Sequence, residues 1–143
     1  MATFGVIASC TIGLIVGTLC QQNKYTTKFM LAVCDIFQTF PSFVYLIPVM
    51  MLFGVTDTSV LIAVIVYATI PATRYTIEGL RSVPTALHDA ASMSGVTKLQ
   101  RLLKIEFPLA FPHMMLGLNQ TIVFALFMAV SYTHLTLPTI RMV

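Results

Sequence analysis

The residues with chemically specific spacing are concentrated in one segment of the chain, residues 74–112. Arg74, Glu78 and Arg81 follow one another at helical spacing, which places side chains of alternating sign on one face where they can form ion pairs. Further along the segment, basic residues alternate with leucines. The pattern indicates ion pairing and the docking of another surface rather than bond chemistry.

Catalytic and metal-binding motifs are not visible in the sequence. There is no nucleophile elbow, no paired-histidine zinc motif and no phosphate-binding glycine loop, and His88 and His113 are isolated. Cys10, Cys20 and Cys34 lie in or beside apolar runs without CxxC spacing, which favours buried small side chains over a disulfide or a metal site. We therefore predict no catalytic residues, no metal site and no enzymatic activity.

Two short helices are predicted inside the segment. Pro84 suits the first turn of a helix and Gly95 suits its C-terminal stop, which predicts a helix over residues 85–94. Thr97, with a glutamine three residues later, predicts the start of a second helix through a capping box. Pro108 is expected to end that second helix.

The second helix is predicted to be amphipathic, with basic side chains on one face and apolar side chains largely on the other. The two faces comprise Lys98, Arg101 and Lys104, and Leu99, Leu102, Leu103 and Phe107. Such a helix can lie on a membrane surface with its lysines among anionic headgroups, or it can dock a cytoplasmic partner. Composition alone does not decide between the two.

Long apolar runs surround this segment. Of 143 residues, 57% are hydrophobic and 9% are charged, whereas an ordinary soluble domain is about one quarter charged. The net charge of +3 is too small and scattered for a phosphate-tracking surface, so no nucleic-acid partner is expected. The composition excludes a cytosolic enzyme and a disordered tail, and it predicts a membrane protein.

Four charge-free runs predict about four membrane helices. These runs comprise residues 1–23, 36–56, 58–73 and 107–140. A spanning helix needs about 20 mostly apolar residues, which the first two runs supply. The third run is expected to continue past Arg74, whose long side chain can reach the interface, and the fourth can hold a span over 113–130. Gly13 and Gly17 have the spacing of a close helix contact in lipid, with local flexibility as the alternative.

Lysine and arginine placement predicts the orientation of these spans. Lys24 and Lys28 lie between the first and second spans, and the basic residues of 74–104 lie between the third and fourth. The connection between the second and third spans carries no basic residue. Because cytoplasmic loops carry the excess of positive charge, both basic connections are predicted to be cytoplasmic, with residue 1 outside.

Polar side chains inside the spans are candidates for a water-filled path, because such groups are costly in lipid. The candidates are Gln38, Thr39, Asn119, Gln120 and Thr121. Hydrogen bonding between helices is the alternative for each of them.

The second apolar run also carries prolines beside aromatic residues. Pro41 and Pro48 interrupt the run and free carbonyl groups, which is tolerated only against protein or a cavity. Phe40, Phe43 and Tyr45 lie beside them and could offer ring faces to a cationic ammonium group, with simple packing as the alternative. Asp35, where the second span is expected to begin, would either anchor the interface or pair with Lys28 or Arg74.

The spacing of Asp-Ala-Ala at 89–91, Gly95, Ile105 and Phe-Pro at 107–108 resembles the EAA loop of ABC importer permeases. The family pattern is Glu-Ala-Ala, three residues, Gly, nine residues, Ile, one residue and Leu-Pro. The resemblance implies that the loop, about 84–108, forms coupling helices that seat on an ATP-binding subunit. The residues implied in that contact are Asp89, Ala90, Ala91, Gly95, Lys98, Leu99, Arg101 and Pro108.

Further segments resemble the glycine betaine/proline/choline permeases of this family: residues 35–54, 70–74, 79–84 and 117–121. Together they cover nearly all of 10–129. The resemblance implies an all-α membrane protein with the transmembrane domain of a type I (MetI-like) ABC importer, forming the path for such osmoprotectants. A permease for another solute, such as a sulfonate or an amino acid, and a non-transporting membrane anchor are the alternatives.

The resemblance also implies a set of partners in the bacterial cytoplasmic (inner) membrane. They are an ATP-binding subunit, a second permease chain in a homodimer, an extracytoplasmic substrate-binding protein and membrane lipid. ATP would bind to the partner subunit, and this chain would bind no cofactor.

The last residues form an expected non-native tail. Residues 130–139 resemble a one-frame translation of a transposase-end adapter used in sequencing libraries. We therefore expect residues 1–129 to be a partial transmembrane domain and 130–143 to carry no evolved information. The fifth core helix of the family, expected after residue 130, would then be missing.

Overall fold

The computed structural model describes the backbone of residues 2–140 and the side chains of residues 3–137, and within that part every regular element is helical. In chain order the elements are α1 (Ala2–Cys20), α2 (Lys24–Thr39), α3 (Phe43–Phe53), α4 (Asp57–Arg81), α5 (Thr85–Met93), α6 (Lys98–Arg101), a π-helical turn (Leu102–Glu106) and α7 (Phe107–Ile140). The all-α prediction is confirmed. The last three residues of the expected tail, 141–143, lie outside the described residues.

α4 is the central helix, and α1, α2, α3 and α7 all pack against it. Its apolar side chains meet those of α3 and α7 in one buried cluster. The cluster comprises Leu46, Ala63, Val64, Tyr67, Ala68, Ala125 and Met128. Because other helices pack on several sides of α4, its buried positions include small and polar residues that contact those helices.

Glycines allow α1 to approach α4 closely. A Cβ added at Gly13 would lie 2.5 Å from the Cβ of Ala72, and one added at Gly17 would lie 2.7 Å from the Cβ of Thr76. Ser9 continues the same stripe, and its hydroxyl donates to the carbonyl of Gly5 at 2.7 Å. The small-residue spacing in the first span therefore makes the close helix contact that was one of its two interpretations.

α7 approaches the other side of α4 in the same way. A Cβ at Gly117 would lie 2.6 Å from the Cβ of Tyr75, and one at Gly79 would lie 3.0 Å from the Cβ of His113. Both glycines thus lie where two helix backbones nearly touch. α1, α4 and α7 form one closely packed group.

The second apolar run is not a single straight span, which corrects the predicted helix over 36–56. α2 begins earlier, at Lys24, and α3 leaves it at 86° after a break at residues 40–42. Pro41 lies in that break, where its missing N–H and fixed φ end the regular hydrogen bonding. Pro48, in contrast, lies inside α3 without ending it.

Three helical stretches of the described residues are long and apolar enough to cross a membrane, and the bent pair of α2 and α3 makes a fourth if it counts as one span. The three are Thr3–Cys20, Asp57–Arg81 and Lys98–Leu137. The prediction of about four membrane helices holds on that count. The structure is that of a multi-pass helical membrane protein.

Pro108 does not end the helix that begins after Thr97, which corrects a second prediction. The chain passes from α6 through the π-helical turn and continues as α7. The N–H of Phe107 donates to the carbonyl of Leu102, five residues back. The wider turn lies just before Pro108, where the proline removes a donor, so the helix continues through it.

Candidate functional site

α5 is a short helix with a closed C-terminal end. It is followed by Gly95 with φ +68°, a left-handed conformation that glycine adopts without strain. The N–H of Val96 donates to the carbonyl of Ala91 at 3.4 Å, and the N–H of Gly95 donates to that of Ser92 at 3.2 Å. This pair of bonds is a Schellman motif, and it confirms the predicted glycine stop of the helix over 85–94.

α6 begins with the predicted capping box. The hydroxyl of Thr97 accepts from the N–H of Gln100 at 3.4 Å, and the side-chain oxygen of Gln100 accepts from the N–H of Thr97 at 3.2 Å. A glycine turn with fixed hydrogen bonds on both sides therefore joins α5 to α6. The two helices form a rigid projection beyond the end of α4.

The projection and the start of α7 expose most of the residues that the sequence analysis assigned to partner contact. Ala91 is buried and Arg101 is half-buried, and the remaining ones are exposed: Asp89, Ala90, Gly95, Lys98, Leu99 and Pro108. Two apolar side chains on the projection are strongly exposed, Met93 at 90% and Leu99 at 65%. Exposed apolar groups beside charged residues can mark an interaction surface for a protein or for a membrane.

Glu106 is the residue of this region that sequence reasoning missed. It is only 3% exposed, and its carboxylate accepts from Nε of Arg101 at 2.9 Å. Nδ1 of His88 lies 3.2 Å from the same oxygen, and Nε2 of Gln21 donates to the other oxygen at 3.4 Å. One buried carboxylate therefore joins α5, α6 and the end of α1.

The π-helical turn explains why the sequence did not reveal this pair. Residues five apart, such as Arg101 and Glu106, lie on different faces of a regular α-helix, where neighbours are three or four apart. A π-helical turn is wider, with hydrogen bonds between residues five apart, so Arg101 and Glu106 come closer to one side of the helix. No local sequence signal predicts such a turn.

A polar cavity of about 400 Å³ lies beside Glu106. Its lining includes the connection between α1 and α2 as well as α5 and α6: Thr18, Gln21, Gln22, Asn23, His88, Lys98, Arg101, Leu102 and Glu106. The two basic connections of the chain therefore lie at the same end of the bundle. This is the arrangement that lysine and arginine placement predicted.

The path candidate Gln38 forms part of a charged cluster between α2 and α4. Its side-chain oxygen accepts from Nη1 of Arg74 at 2.9 Å. Arg74 also pairs with Asp35, and its Nε donates to Glu78 at 3.0 Å. The Arg74–Glu78 pair and one of the two expected pairings of Asp35 are confirmed. Gln38 has the interhelical hydrogen bond that was the alternative to a path role.

The remaining path candidates are distributed over two regions. Thr39, Phe40 and Phe43 are exposed near the bend between α2 and α3. Asn119 is exposed and Gln120 half-buried on α7, and no hydrogen bond recorded among residues 3–137 joins them to the bend. Thr121, a further polar residue of α7, is buried and donates to the carbonyl of Gly117 at 2.7 Å.

Aromatic rings form a continuous series through the core beside the bend. Ring centroids are 6.2 Å apart for Phe37 and Tyr45, and 5.0 Å apart for Tyr45 and Tyr67. The stacked rings of Tyr67 and Phe124 follow at 4.8 Å. Tyr45 thus packs in this series, whereas Phe40 and Phe43 keep exposed faces. Sequence reasoning missed Tyr67 and Phe124 because nothing local relates α4 to α7.

Metal-ligating side chains do not cluster in the part of the chain that the structure describes. No group of three or more His, Cys, Asp or Glu residues there could hold a metal ion. Cys10, Cys20 and Cys34 are free thiols.

Comparison with known proteins finds one family over nearly the whole chain. The family described as the binding-protein-dependent transport system inner membrane component matches residues 9–139.

Individual relatives carry names from the same kind of system. The trimethylamine N-oxide transport system permease protein of Pelagibacter ubique is 85% identical over 130 residues, which cover 91% of this chain and 18% of that protein. The protein of the same name from Ruegeria pomeroyi is 44% identical over 131 residues, covering 89% of this chain and 20% of that one. The glycine betaine/proline betaine transport system permease protein of Salmonella typhimurium is 39% identical over 119 residues, covering 83% and 34%. This chain spans about a fifth of the length of the first two.

Proposed function

The chain belongs to the family of binding-protein-dependent transport system inner membrane components, and we propose that it acts as part of the permease of an ATP-driven ABC importer. Its helical bundle would form part of the translocation path. The loop over 89–108 would couple that path to a cytoplasmic ATP-binding subunit.

The rigid projection of α5 and α6 is the observation that carries this proposal. Its EAA-type residues are mostly exposed, and its backbone is held by the Schellman motif at Gly95 and the capping box at Thr97. A membrane anchor without a transport role would need no projection of this spacing. A partner that pushes on a rigid projection moves the helices attached to it, which is what coupling requires.

The proposed mechanism is alternating access. ATP binding would close two partner ATPase subunits, and the coupling loop would pass their motion to α7 and α4. The chain itself would bind no ATP, since it has no phosphate-binding glycine loop. A second permease chain would complete the path in a homodimer, and an extracytoplasmic binding protein would deliver the solute.

The substrate we propose is a small methylated-ammonium zwitterion, with trimethylamine N-oxide as the first candidate and glycine betaine as the second. The compounds in the relatives' names support this class. Each of these compounds carries a fully substituted nitrogen and a negatively charged oxygen. The exposed rings of Phe40 and Phe43 support it as well, since methylated ammonium groups bind over aromatic faces. No relative named above supports a sulfonate or an amino acid.

The test is made in a full-length permease. The segment of the Pelagibacter ubique protein that this chain matches is replaced by the chain's own sequence, and the chimera is co-expressed with its ATP-binding subunit and its substrate-binding protein. We expect trimethylamine N-oxide uptake and co-purification of the ATPase. Gly95→Arg should abolish both while leaving membrane insertion intact, because arginine is strained at φ +68° and its long side chain would project outward from the turn.

Gly95→Asn is the matched control. Asparagine tolerates the left-handed conformation at this position but carries a short side chain, so it should retain most of the ATPase contact. Persistent co-purification with Gly95→Arg would contradict the docking assignment. Uptake of sulfonates in preference to methylated amines would contradict the substrate class.

A further inference from the structure

We propose that Glu106 is a positioning residue that ties the coupling loop to the end of α1, so that motion of the loop reaches α1 as well as α7. The inference rests on the coupling function proposed above. It goes further because it assigns to one buried carboxylate, outside the docking surface, the connection between the loop and a second helix of the bundle.

The loop has a covalent connection to α7 but no comparable connection to α1. α6 runs through the π-helical turn directly into α7. α1 packs extensively on α4 and α7, whereas no extensive packing joins it to α5 or α6 in the described part of the chain. Side chains at the end of α1 must therefore make any direct connection between this helix and the loop.

Glu106 makes that connection with both of its carboxylate oxygens. Oε1 lies 2.9 Å from Nε of Arg101 and 3.2 Å from Nδ1 of His88, which holds α6 and α5 together. Oε2 accepts from Nε2 of Gln21, one residue beyond the end of α1, at 3.4 Å. A displacement of α5 thus changes the position of the group that Gln21 binds.

The burial of Glu106 favours one position of the loop relative to the end of α1. Glu106 is 3% exposed, and a buried carboxylate is strongly disfavoured unless its partners are all in place. The loop and the end of α1 therefore have one favourable relative position. When the loop moves, α1 must follow or the buried carboxylate of Glu106 loses its hydrogen bond to Gln21, while Arg101 and His88 move with the loop.

The π-helical turn is a second, independent observation that supports a functional role for Glu106. Such turns are rare and are found frequently at functional sites, because they interrupt regular helix hydrogen bonding. Here the turn brings Glu106 to the side of Arg101 and of the α1 end. A regular helix through the same residues would separate the two charges.

The test uses the full-length chimera reconstituted with its ATP-binding subunit and its substrate-binding protein, and it measures ATP hydrolysed per trimethylamine N-oxide transported. Gln21→Ala removes the bond to α1 but leaves Arg101 and His88 on Glu106. We expect the ATP cost per molecule to rise about threefold to thirtyfold, with ATPase co-purification unchanged. Gln21→Lys, whose ammonium can pair with Glu106, should restore the ratio to nearly that of the unsubstituted protein.

Gln22→Ala is the matched control, because Gln22 lines the same cavity and has no hydrogen bond to Glu106. Glu106→Gln keeps the shape and removes the charge, and it should raise the same ratio. An unchanged ratio in both Gln21→Ala and Glu106→Gln would overturn the inference. Loss of ATPase co-purification in Gln21→Ala would overturn it too, since Gln21 would then support docking rather than transmission. Failure of the coupling function itself would show separately, as ATPase co-purification that survives Gly95→Arg.

Discussion

Arg74 on α4 pairs with Asp35 on α2, and this pair fastens the bent second span to the central helix. The same guanidinium binds Glu78 on its own helix and Gln38 on α2. One cation therefore compensates two carboxylates. Loss of Arg74 therefore leaves two carboxylates without their cation, whereas loss of Asp35 leaves Arg74 paired with Glu78.

Arg74→Gln should lower the free energy of unfolding by about 1–3 kcal/mol, because it leaves Asp35 and Glu78 close together without a cation. Asp35→Asn should cost less than about 1 kcal/mol, since Arg74 keeps Glu78 as a partner. Thermal unfolding in detergent measures both. The double variant should be more stable than the sum of the single effects predicts, and strict additivity would contradict direct pairing.

The close contact of α1 with α4 predicts that Gly13→Leu is poorly tolerated. A Cβ there would already lie 2.5 Å from the Cβ of Ala72 and 2.9 Å from the backbone of the same residue. We expect a loss of about 1–3 kcal/mol, measured as a lower midpoint of thermal unfolding. Thr11→Ala on the exposed face of α1 is the control and should cost less than about 0.5 kcal/mol. Equal effects of the two substitutions would show that α1 does not pack on α4 in this way.

Thr97→Ala removes the capping box of α6. Loss of such a cap costs about 0.5–2 kcal/mol, so the amides of α6 should exchange their hydrogens faster by about twofold to thirtyfold. Hydrogen exchange read by mass spectrometry on the peptide over 97–104 measures this. Thr97→Ser keeps the hydroxyl and should leave exchange nearly unchanged. Protection that is equal in the alanine and serine variants would mean that the cap does not hold the loop.

Phe43→Leu tests the proposed role of aromatic faces near the bend. If the path carries a methylated ammonium group past this ring, loss of the ring should raise the KM for trimethylamine N-oxide by about twofold to thirtyfold. Phe4→Leu, on an exposed part of α1, is the control and should change KM little. A similar change in both variants would assign the effect of Phe43 to general packing.

The adapter-like tail is tested at the level of DNA. We expect genomic DNA from the source to diverge from this sequence after codon 129 and to encode a further apolar helix. Amplification across that codon, followed by sequencing, provides the measurement. Continued agreement through residue 143 would contradict the expectation of a non-native tail.

Local signals in the sequence predicted the end of α5 and the start of α6 correctly, because each depends on only a few neighbouring residues. Gly95 adopts the left-handed conformation at the end of α5, and Thr97 caps α6. Charge spacing likewise predicted the Arg74–Glu78 pair. In all these cases the interacting groups lie within one helical turn of each other.

The features that sequence reasoning missed depend on contacts between distant segments. Whether Pro41 or Pro48 would break the second run depends on the packing around each, and only Pro41 lies in a break. The burial of Glu106 requires Gln21, far away in the chain, and a π-helical turn that no residue type announces. The stacking of Tyr67 on Phe124 likewise needs α4 and α7 to be in place first.

The glycine contacts that hold α1, α4 and α7 together also set how far a small movement can reach. α4 has 25 residues and is therefore about 37 Å long. A tilt of about 5° at the end that carries α5 would displace its other end by about 3 Å, by the geometry of a rod of that length. Gly13 and Gly117 lie against α4 on two sides, so the neighbouring helices would tilt with it. A small tilt at the end of the bundle that carries α5 would therefore become a larger displacement at the opposite face of the membrane.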